Sequence, residues 1–182
     1  MYLRIADIGL EGLDLDFVEE VSRFPVLQQI VQKGECTFLR PITVGLRATM
    51  VSGLIEVVGR VQTEVALPCS RCLNPAASAV IACFELSYVR ELPQVTDEAG
   101  EEEPELSADD LGLIQFDGDE IDLAEVVEEQ VLLALPLHPL CSVDCRGLCS
   151  RCGANLNESD CGCLSQDFNI KFAAWRNFKV DK

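Results

Sequence analysis

Apolar and polar positions between residues 37 and 90 alternate with the two-residue period of β-strands. The alternation is clearest in four segments rich in β-branched residues, at positions 42–48, 53–59, 61–67 and 79–86. Only short breaks separate these segments, and no long helical pattern lies between them. The pattern therefore predicts an antiparallel β-meander or a small barrel. A weaker alternation at residues 2–8 predicts an edge strand.

The hydrophobic period changes to that of a helix at residues 122–135. One stripe at helical spacing is formed by Leu123, Val126, Val127, Val131, Ala134 and Leu135. Asp122 is predicted to cap this helix, with Glu125 completing a capping box, and Pro136 ends it. A short terminal helix is expected near residues 168–178.

Residues 12–33 are ambiguous. Phe17, Val18, Val21 and Phe24 suit one helix face, but Pro25 interrupts that pattern. Taken together, the elements predict an α+β fold in which one or two helices pack on the β-sheet. We expect a β-rich domain at residues 1–137, and a cysteine-rich, zinc-binding region at residues 138–182 that ends in the short helix.

Charge is distributed unevenly along the chain. The formal net charge is −17, and residues 91–129 contain sixteen acidic side chains with no Lys or Arg. Residues 93–112 combine this acidity with prolines and a glycine, so we expect an acidic loop there. Such a surface repels a phosphate backbone. The balance favours a basic protein partner, or a local RNA contact at the less acidic C-terminal end.

Ten cysteines are many for 182 residues. The first residues lack the pattern of a secretory signal, and no apolar run is long enough to span a membrane. We therefore expect a cytoplasmic protein that does not enter a membrane. Because cytosolic thiols stay reduced, the cysteines indicate metal or redox chemistry more than disulfides.

Eight of the cysteines have the spacing of metal ligands. Two Cys-x2-Cys pairs share the form Cys-Ser-Arg-Cys, and six cysteines lie within 23 residues of the C-terminal region. The candidate ligands are Cys69, Cys72, Cys141, Cys145, Cys149, Cys152, Cys161 and Cys163. Four thiolates around Zn²⁺ are the expected arrangement, with one or two structural ions. Iron or an iron–sulfur cluster is the alternative metal, and disulfides or free thiols are the metal-free alternative.

The sequence leaves the grouping of these ligands open. Cys149, Cys152, Cys161 and Cys163 are the most compact set, and the other four could then form a second site. A single zinc-ribbon site pairing Cys69 and Cys72 with Cys149 and Cys152 is the alternative. Each tetrathiolate zinc site carries a charge of about −2. Arg71 and Arg151 are expected to offset that charge, with contact to RNA phosphate as their alternative role.

The remaining candidate residues are interpreted as structural. Cys36 and Cys83 lack a nearby cysteine and are expected to be core thiols. His138 is the only histidine, and a loop or packing role is expected for it before a ligand role.

No enzymatic pattern emerges from the sequence. An all-cysteine ligand set predicts a closed, structural metal site, whereas a catalytic zinc keeps one position open for water. One histidine leaves a single candidate base, and no phosphate-binding glycine loop or small-molecule site is indicated. The alternatives are a thiol-redox protein using Cys69 and Cys72, and a zinc-bearing regulator that binds nucleic acid.

The two cysteine motifs resemble those of the bacterial YceD family. They read Cys-Ser-Arg-Cys-Leu-Asn-Pro at residues 69–75 and Cys-Arg-Gly-Leu-Cys-Ser-Arg-Cys-Gly-Ala-Asn-Leu-Asn at residues 145–157, followed by Cys161-Gly-Cys163. The β region, the acidic middle segment and the helix before the second motif fit as well. The resemblance implies a non-enzymatic factor that supports accumulation of 23S ribosomal RNA and biogenesis of the large ribosomal subunit. Its implied partners are ribosomal RNA or a basic protein of that subunit.

Overall fold

The computed structural model describes residues 1–91 and 112–163, and it has the predicted α+β architecture. Its main sheet has the strand order β2-β4-β5-β6-β7, with the short β3 paired to β5. The strands are β2 (Leu13–Glu19), β3 (Thr37–Phe38), β4 (Ile42–Val51), β5 (Leu54–Pro68), β6 (Pro75–Val89) and β7 (Leu113–Gln115). A second, two-stranded antiparallel sheet joins β1 (Tyr2–Arg4) to β8 (Glu120–Asp122). The helices are α1 (Pro25–Gln32) and α2 (Ala124–Ala134).

The predicted antiparallel meander is formed by β4, β5 and β6. A two-residue turn joins β4 to β5, and its residues Ser52 and Gly53 both have positive φ, at 51° and 87°. These are the signs of a type I′ turn, whose twist matches that of the flanking strands. β7 departs from the meander because it runs parallel to β6.

One predicted break between strands and one helical interpretation need correction. Segments 53–59 and 61–67 form one continuous strand, β5, because Gly59 does not end it. Gly59 lies opposite Phe84 of β6, and a Cβ atom at Gly59 would overlap the Phe84 ring. The missing side chain therefore makes room for a buried aromatic ring. Phe17 and Val18 lie in β2, not on a helix, because the alternation of residues 13–19 turns every second side chain inward.

The helix boundaries also differ from prediction in detail. Pro25 begins α1 instead of ending a helix, and it occupies a position where the missing N–H costs nothing. Leu123 is the cap of α2, so Asp122 does not form the predicted capping box. The Asp122 carboxylate instead accepts a hydrogen bond of 2.9 Å from the N–H of Ala124. The predicted terminal helix and almost all of the predicted acidic loop lie outside the described residues.

One face of the main sheet packs against the two helices. The largest fully buried side chains come from both layers, and they include Val57, Val61 and Val80 of the sheet and Leu27 and Val131 of the helices. The other face of the sheet is open. Cys83 points to this open face and is exposed, which contradicts its predicted core position, whereas Cys36 is buried as expected. None of the helices among the described residues is both long and apolar enough to cross a bilayer.

A buried carboxylate joins the two helices. Glu128 of α2 is 8 % exposed and accepts hydrogen bonds from the backbone N–H groups of Val26 and Leu27, at 2.6 and 3.0 Å. These N–H groups lie in the first turn of α1, which has no capping side chain of its own. The carboxylate therefore supplies both the missing acceptors and a negative charge at the positive end of the helix dipole.

We predict that Glu128→Gln destabilises the fold by about 1–2 kcal/mol, because the amide accepts fewer hydrogen bonds and carries no charge. Urea unfolding followed by circular dichroism measures the change. Glu129→Gln is the matched control, since Glu129 is exposed on the same helix, and a shift within about 0.5 kcal/mol is expected for it. Equal effects of the two substitutions would contradict the capping role.

Candidate metal centres

Four cysteines from two distant parts of the chain meet at one end of the main sheet. Cys69 and Cys72 lie in the turn between β5 and β6, and Cys141 and Cys145 follow α2. Their four Sγ atoms lie within 4.8 Å of one another, and we call this group the inner cluster. The Sγ atoms of Cys69 and Cys145 are 3.8 Å apart, and those of Cys72 and Cys141 are 3.5 Å apart.

These separations fit four thiolates around a single metal ion. A Zn–S bond of about 2.3 Å in a tetrahedron gives sulfur–sulfur distances of about 3.8 Å. A disulfide would need about 2.05 Å. In an iron–sulfur cluster with several metal atoms, the cysteine sulfurs bind different irons and would lie farther apart than these sulfurs do. The inner cluster could therefore hold one tetrahedrally bound ion.

A tight backbone turn presents the sulfurs of Cys69 and Cys72. The N–H of Cys69 donates to the carbonyl of Asn74 at 2.8 Å, and the N–H of Leu73 donates to the carbonyl of Cys69 at 2.9 Å. The N–H of Arg71 points at the Cys69 sulfur, 3.5 Å away. The turn requires Leu73 to adopt a positive φ of 64°, a conformation that is costly for a leucine.

A second group of four thiols repeats this arrangement. The Sγ atoms of Cys149, Cys152, Cys161 and Cys163 also lie within 4.8 Å of one another, and we call them the outer cluster. The N–H of Cys149 donates to the carbonyl of Ala154 at 2.8 Å, and that of Gly153 donates to the carbonyl of Cys149 at 2.9 Å. Gly153 has a φ of 73° and occupies the position equivalent to Leu73. The two Cys-Ser-Arg-Cys motifs therefore form the same turn.

The clusters differ in their surroundings. Cys69, Cys72 and Cys145 of the inner cluster are buried and pack with Ala76 and Leu148. In the outer cluster, Cys152 and Cys163 are exposed, and Cys149 and Cys161 are intermediate. The two inner pairs are separated by about 70 residues of chain, whereas the outer ligands all fall within residues 149–163. The inner cluster thus ties the sheet to the C-terminal segment, and the outer cluster organises only its own loop.

Backbone contacts reinforce the inner cluster. The N–H of Ser70 donates to the carbonyl of Pro139 at 2.8 Å. The Arg71 carbonyl accepts from the N–H of Leu148 at 3.0 Å, and its guanidinium donates to the carbonyl of Cys145 at 2.9 Å. Arg71 therefore supports the loop carbonyls with its side chain, while its backbone N–H faces sulfur. Arg151, which was expected to offset the charge of a metal site, has an exposed side chain.

Two asparagines that the sequence analysis did not single out join the clusters. The Asn157 side chain donates to the Cys145 sulfur at 3.4 Å and accepts from the N–H of Arg146 at 2.7 Å. The Asn155 side chain accepts from the side chain and the N–H of Asn157, at 2.8 and 3.1 Å. Asn157 thus brings a donor from the outer loop to an inner sulfur. The signal in the sequence is the polar run Asn-Leu-Asn that ends the second motif.

The thiols of each cluster differ widely in acidity. Backbone N–H groups, that of Cys141 first and then those of Cys72 and Arg71, lower the pKa of Cys69 to about 6. The N–H groups of Cys152 and Arg151 likewise lower the pKa of Cys149 to about 6. Hydrogen bonding to neighbouring thiols raises the pKa of Cys141 and of Cys163 to about 12.

The close packing of the thiols opposes ionisation of all four in one cluster. The first thiolate in a cluster is stabilised by N–H donors, but each further ionisation meets the negative charge already present. A divalent cation would remove that penalty and let all four thiols ionise together. The donor set therefore suits a metal ion, and all four atoms in each cluster are sulfur.

The other sequence candidates lie outside the two clusters. His138 is exposed and belongs to neither group, in keeping with the expected loop role. Cys36 is buried in the main core, and burial raises the pKa of its thiol. The alternative single site is not formed, because Cys69 and Cys72 lie in one cluster while Cys149 and Cys152 lie in the other. The contacts of the inner cluster cross the predicted boundary between residues 1–137 and 138–182, which stays a prediction.

Comparison with known proteins identifies the family. A family model described as "Large ribosomal RNA subunit accumulation protein YceD" matches residues 57–179, a range that includes both clusters. The chain belongs to the YceD family. The resemblance based on the cysteine motifs is therefore confirmed.

Relatives of this YceD-family chain occur in plants and bacteria. It is 31 % identical over 186 residues to a chloroplastic YCED homolog 1 of Zea mays, with 88 % of this chain and 56 % of the relative covered. An uncharacterized protein of Mycobacterium bovis is 36 % identical over 61 % of this chain and 49 % of its own length. The Haemophilus influenzae protein named YceD is 31 % identical over 69 % of this chain and 66 % of its own. The chain thus spans about half the length of the first two relatives. No solved structure matches the chain.

We predict that Gly147→Ala destabilises the protein by about 2 kcal/mol or more. Gly147 is buried with a φ of 75°, and a Cβ atom there would lie 3.1 Å from the Arg71 carbonyl oxygen, beside the inner cluster. Urea unfolding provides the measurement.

Gly153→Ala is the matched control, because Gly153 has nearly the same φ of 73° but a Cβ atom added there would have no neighbouring atom within 4 Å. Only the backbone conformation is strained in that variant, so a smaller loss of about 1 kcal/mol is expected. Equal losses in both variants would show that the close approach to Arg71 is unimportant.

Proposed function

We propose that this protein supports accumulation of the large-subunit ribosomal RNA, and so biogenesis of the large ribosomal subunit, as a non-enzymatic factor. The observation that carries the proposal is the family match over residues 57–179. The relatives from Zea mays and Haemophilus influenzae are named large ribosomal RNA subunit accumulation proteins. We expect the protein to act where ribosomes are assembled, in the cytoplasm, without a small-molecule substrate.

We further propose that both clusters hold structural zinc. The eight predicted ligands form two sets of four thiols, each within 4.8 Å, and this spacing suits one tetrahedral ion per set. A closed shell of four thiolates leaves no position for a reacting water, which supports a structural role. The ion would fix the turn between β5 and β6 against residues 139–148.

Thiol-redox activity is the alternative that one observation favours, because the pKa of Cys69 is lowered to about 6. Burial weighs against it. Cys69 is 0 % exposed and Cys72 is 3 % exposed, so a disulfide substrate cannot reach either sulfur in the folded protein. The third possibility, a regulator that binds nucleic acid tightly, is opposed by the net charge of −17.

Metal analysis of the purified protein tests the zinc proposal. We expect two equivalents of zinc per chain, and one equivalent after either Cys72→Ser or Cys152→Ser, because each removes one ligand from one cluster. Cys72→Ser should also lower the urea midpoint of the sheet, whereas Cys152→Ser should leave that midpoint nearly unchanged.

Cys83→Ser serves as the control for this series, since Cys83 is exposed and belongs to neither cluster. It should retain both ions and the original stability. Protein that contains iron, or that carries no metal when purified under reducing conditions, would overturn the zinc proposal.

Deletion of the gene tests the ribosomal role. We expect less 23S ribosomal RNA relative to 16S RNA, and a smaller large-subunit peak in sucrose gradients. Restoring the unaltered gene should return both quantities to normal. Unchanged RNA levels and subunit profiles in the deletion strain would refute the role.

A further inference from the structure

Four exposed apolar side chains lie along the segment that connects α2 to the inner cluster. Leu133, Leu137 and Val143 are 79 %, 91 % and 86 % exposed, and Leu140 is 37 % exposed. We call these four residues the apolar strip. Single exposed leucines are ordinary on protein surfaces, but four exposed apolar residues within eleven consecutive positions are a local concentration that calls for an explanation.

The backbone that carries the apolar strip is held at several points. Leu133 lies on α2, whose opposite face is anchored in the core by Val127 and Val131. The carbonyls of Pro139 and Val143 accept hydrogen bonds from Ser70 and from the Arg71 guanidinium, at 2.8 and 3.4 Å. The strip is therefore presented by a fixed scaffold, so its backbone does not have to be ordered upon binding.

Leu73 belongs to the same end of the molecule. It is 65 % exposed and follows Cys72, whose sulfur is 3.5 Å from that of Cys141. The inner cluster thus brings a further exposed leucine, from the turn between β5 and β6, toward the apolar strip. A metal ion in that cluster would fix both segments together.

The chain segment that carries the apolar strip is acidic. The Arg71 guanidinium, which lies beside that segment, is engaged by the carbonyls of Val143 and Cys145. Residues 112–145 contain eight acidic side chains and no Lys or Arg. Four of the eight are engaged: Asp119 and Glu120 pair with arginines, Asp122 pairs with the N-terminal amine, and Glu128 caps α1.

Two of the remaining carboxylates lie next to the strip. Glu125 and Glu129 precede Leu133 at four-residue spacing on the exposed face of α2. Neither makes an ion pair within residues 1–91 and 112–163. The exposed face of α2 therefore continues the apolar strip with negative charge.

Exposed apolar side chains next to carboxylates favour some classes of partner over others. RNA is repelled by these carboxylates and gains little from exposed leucines, and an anionic lipid surface is repelled by the same negative charge. A second copy of the chain would bring two acidic surfaces together, at a net charge of −17 each. A cationic protein segment with apolar side chains is complementary in both respects.

We propose that the apolar strip, together with Glu125 and Glu129, binds a cationic segment of a partner protein that inserts apolar side chains. The proposal rests on the proposed function, and it assigns this surface to a basic protein of the assembling large subunit instead of RNA. The apolar strip supplies most of the affinity, whereas the two carboxylates speed association and make binding sensitive to salt.

The zinc-loaded full-length protein and a fluorescent peptide of about 18 lysine and leucine residues, patterned as an amphipathic helix, provide the binding test. Fluorescence anisotropy should show that Leu137→Ser with Val143→Ser weakens binding about tenfold or more. Glu125→Gln with Glu129→Gln should weaken binding at low salt and reduce its dependence on salt. A peptide of equal charge with serine in place of leucine should bind poorly to every variant.

The matched control is Leu10→Ser with Met50→Ser, which removes two exposed apolar side chains outside the strip. Equal weakening by the control pair would overturn the proposal, as would indifference to the strip substitutions. The proposal would also be overturned if the strip substitutions removed binding of a single-stranded RNA probe, or if they removed self-association measured by sedimentation. Occupation of the strip by the chain's own residues 164–182 would leave the unaltered protein unable to bind the peptide, which also overturns it.

A cellular measurement separates this proposal from the proposed function. The strip variant should fail to restore 23S ribosomal RNA in the deletion strain, whereas the Leu10 and Met50 control variant should restore it. Full restoration by the strip variant would refute the docking surface and leave the ribosomal role standing. A deletion strain with normal 23S levels would refute the ribosomal role itself.

Discussion

The structure depends on the gathering of four thiols at the end of the main sheet. Cys69 and Cys72 come from the turn between β5 and β6, and Cys141 and Cys145 come from about 70 residues further along the chain. Four sulfurs within 4.8 Å would repel one another once ionised. A cation at their centre would replace that repulsion with attraction and would hold the segments on either side of Arg71 together. Both the outer cluster and the apolar strip are positioned by this junction.

The two clusters use one backbone turn in different contexts. In the inner turn a leucine takes the left-handed conformation, and in the outer turn a glycine takes it at no cost. The strain at Leu73 is tolerated because the surrounding contacts, from Asn74 to Leu148, over-determine the turn. The outer turn needs no such support, because glycine has no Cβ atom to strain it. An ion in the outer cluster would add little to the main fold, whereas an ion in the inner cluster would hold residues 139–148 against the sheet.

Sequence patterns predicted most of this architecture, and the exceptions have physical causes. Alternation located the meander, and helical spacing located α2, because one face of each element is buried. Gly59 was wrongly predicted to separate two strands, because its role is to make room for the ring of Phe84 in another strand. The exposed Cys83 was misplaced because its flanking residues are apolar on both faces of an open sheet. The two compact ligand sets could be proposed from spacing, and the Asn-Leu-Asn run marks Asn157 without identifying its partner Cys145. The capping of α1 by Glu128 joins segments about 100 residues apart, which no local pattern reveals.

The chemistry of the clusters and the character of the surface lead to the same kind of function. Four thiolates around an ion in each set would leave no open coordination position, and Cys69 and Cys72 are buried. The role of the inner cluster is geometric: the contacts around it hold the chain that carries Leu140 and Val143 against the turn between β5 and β6. An assembly factor that receives a basic protein would need an exposed apolar surface next to carboxylates, which is the arrangement proposed for the apolar strip.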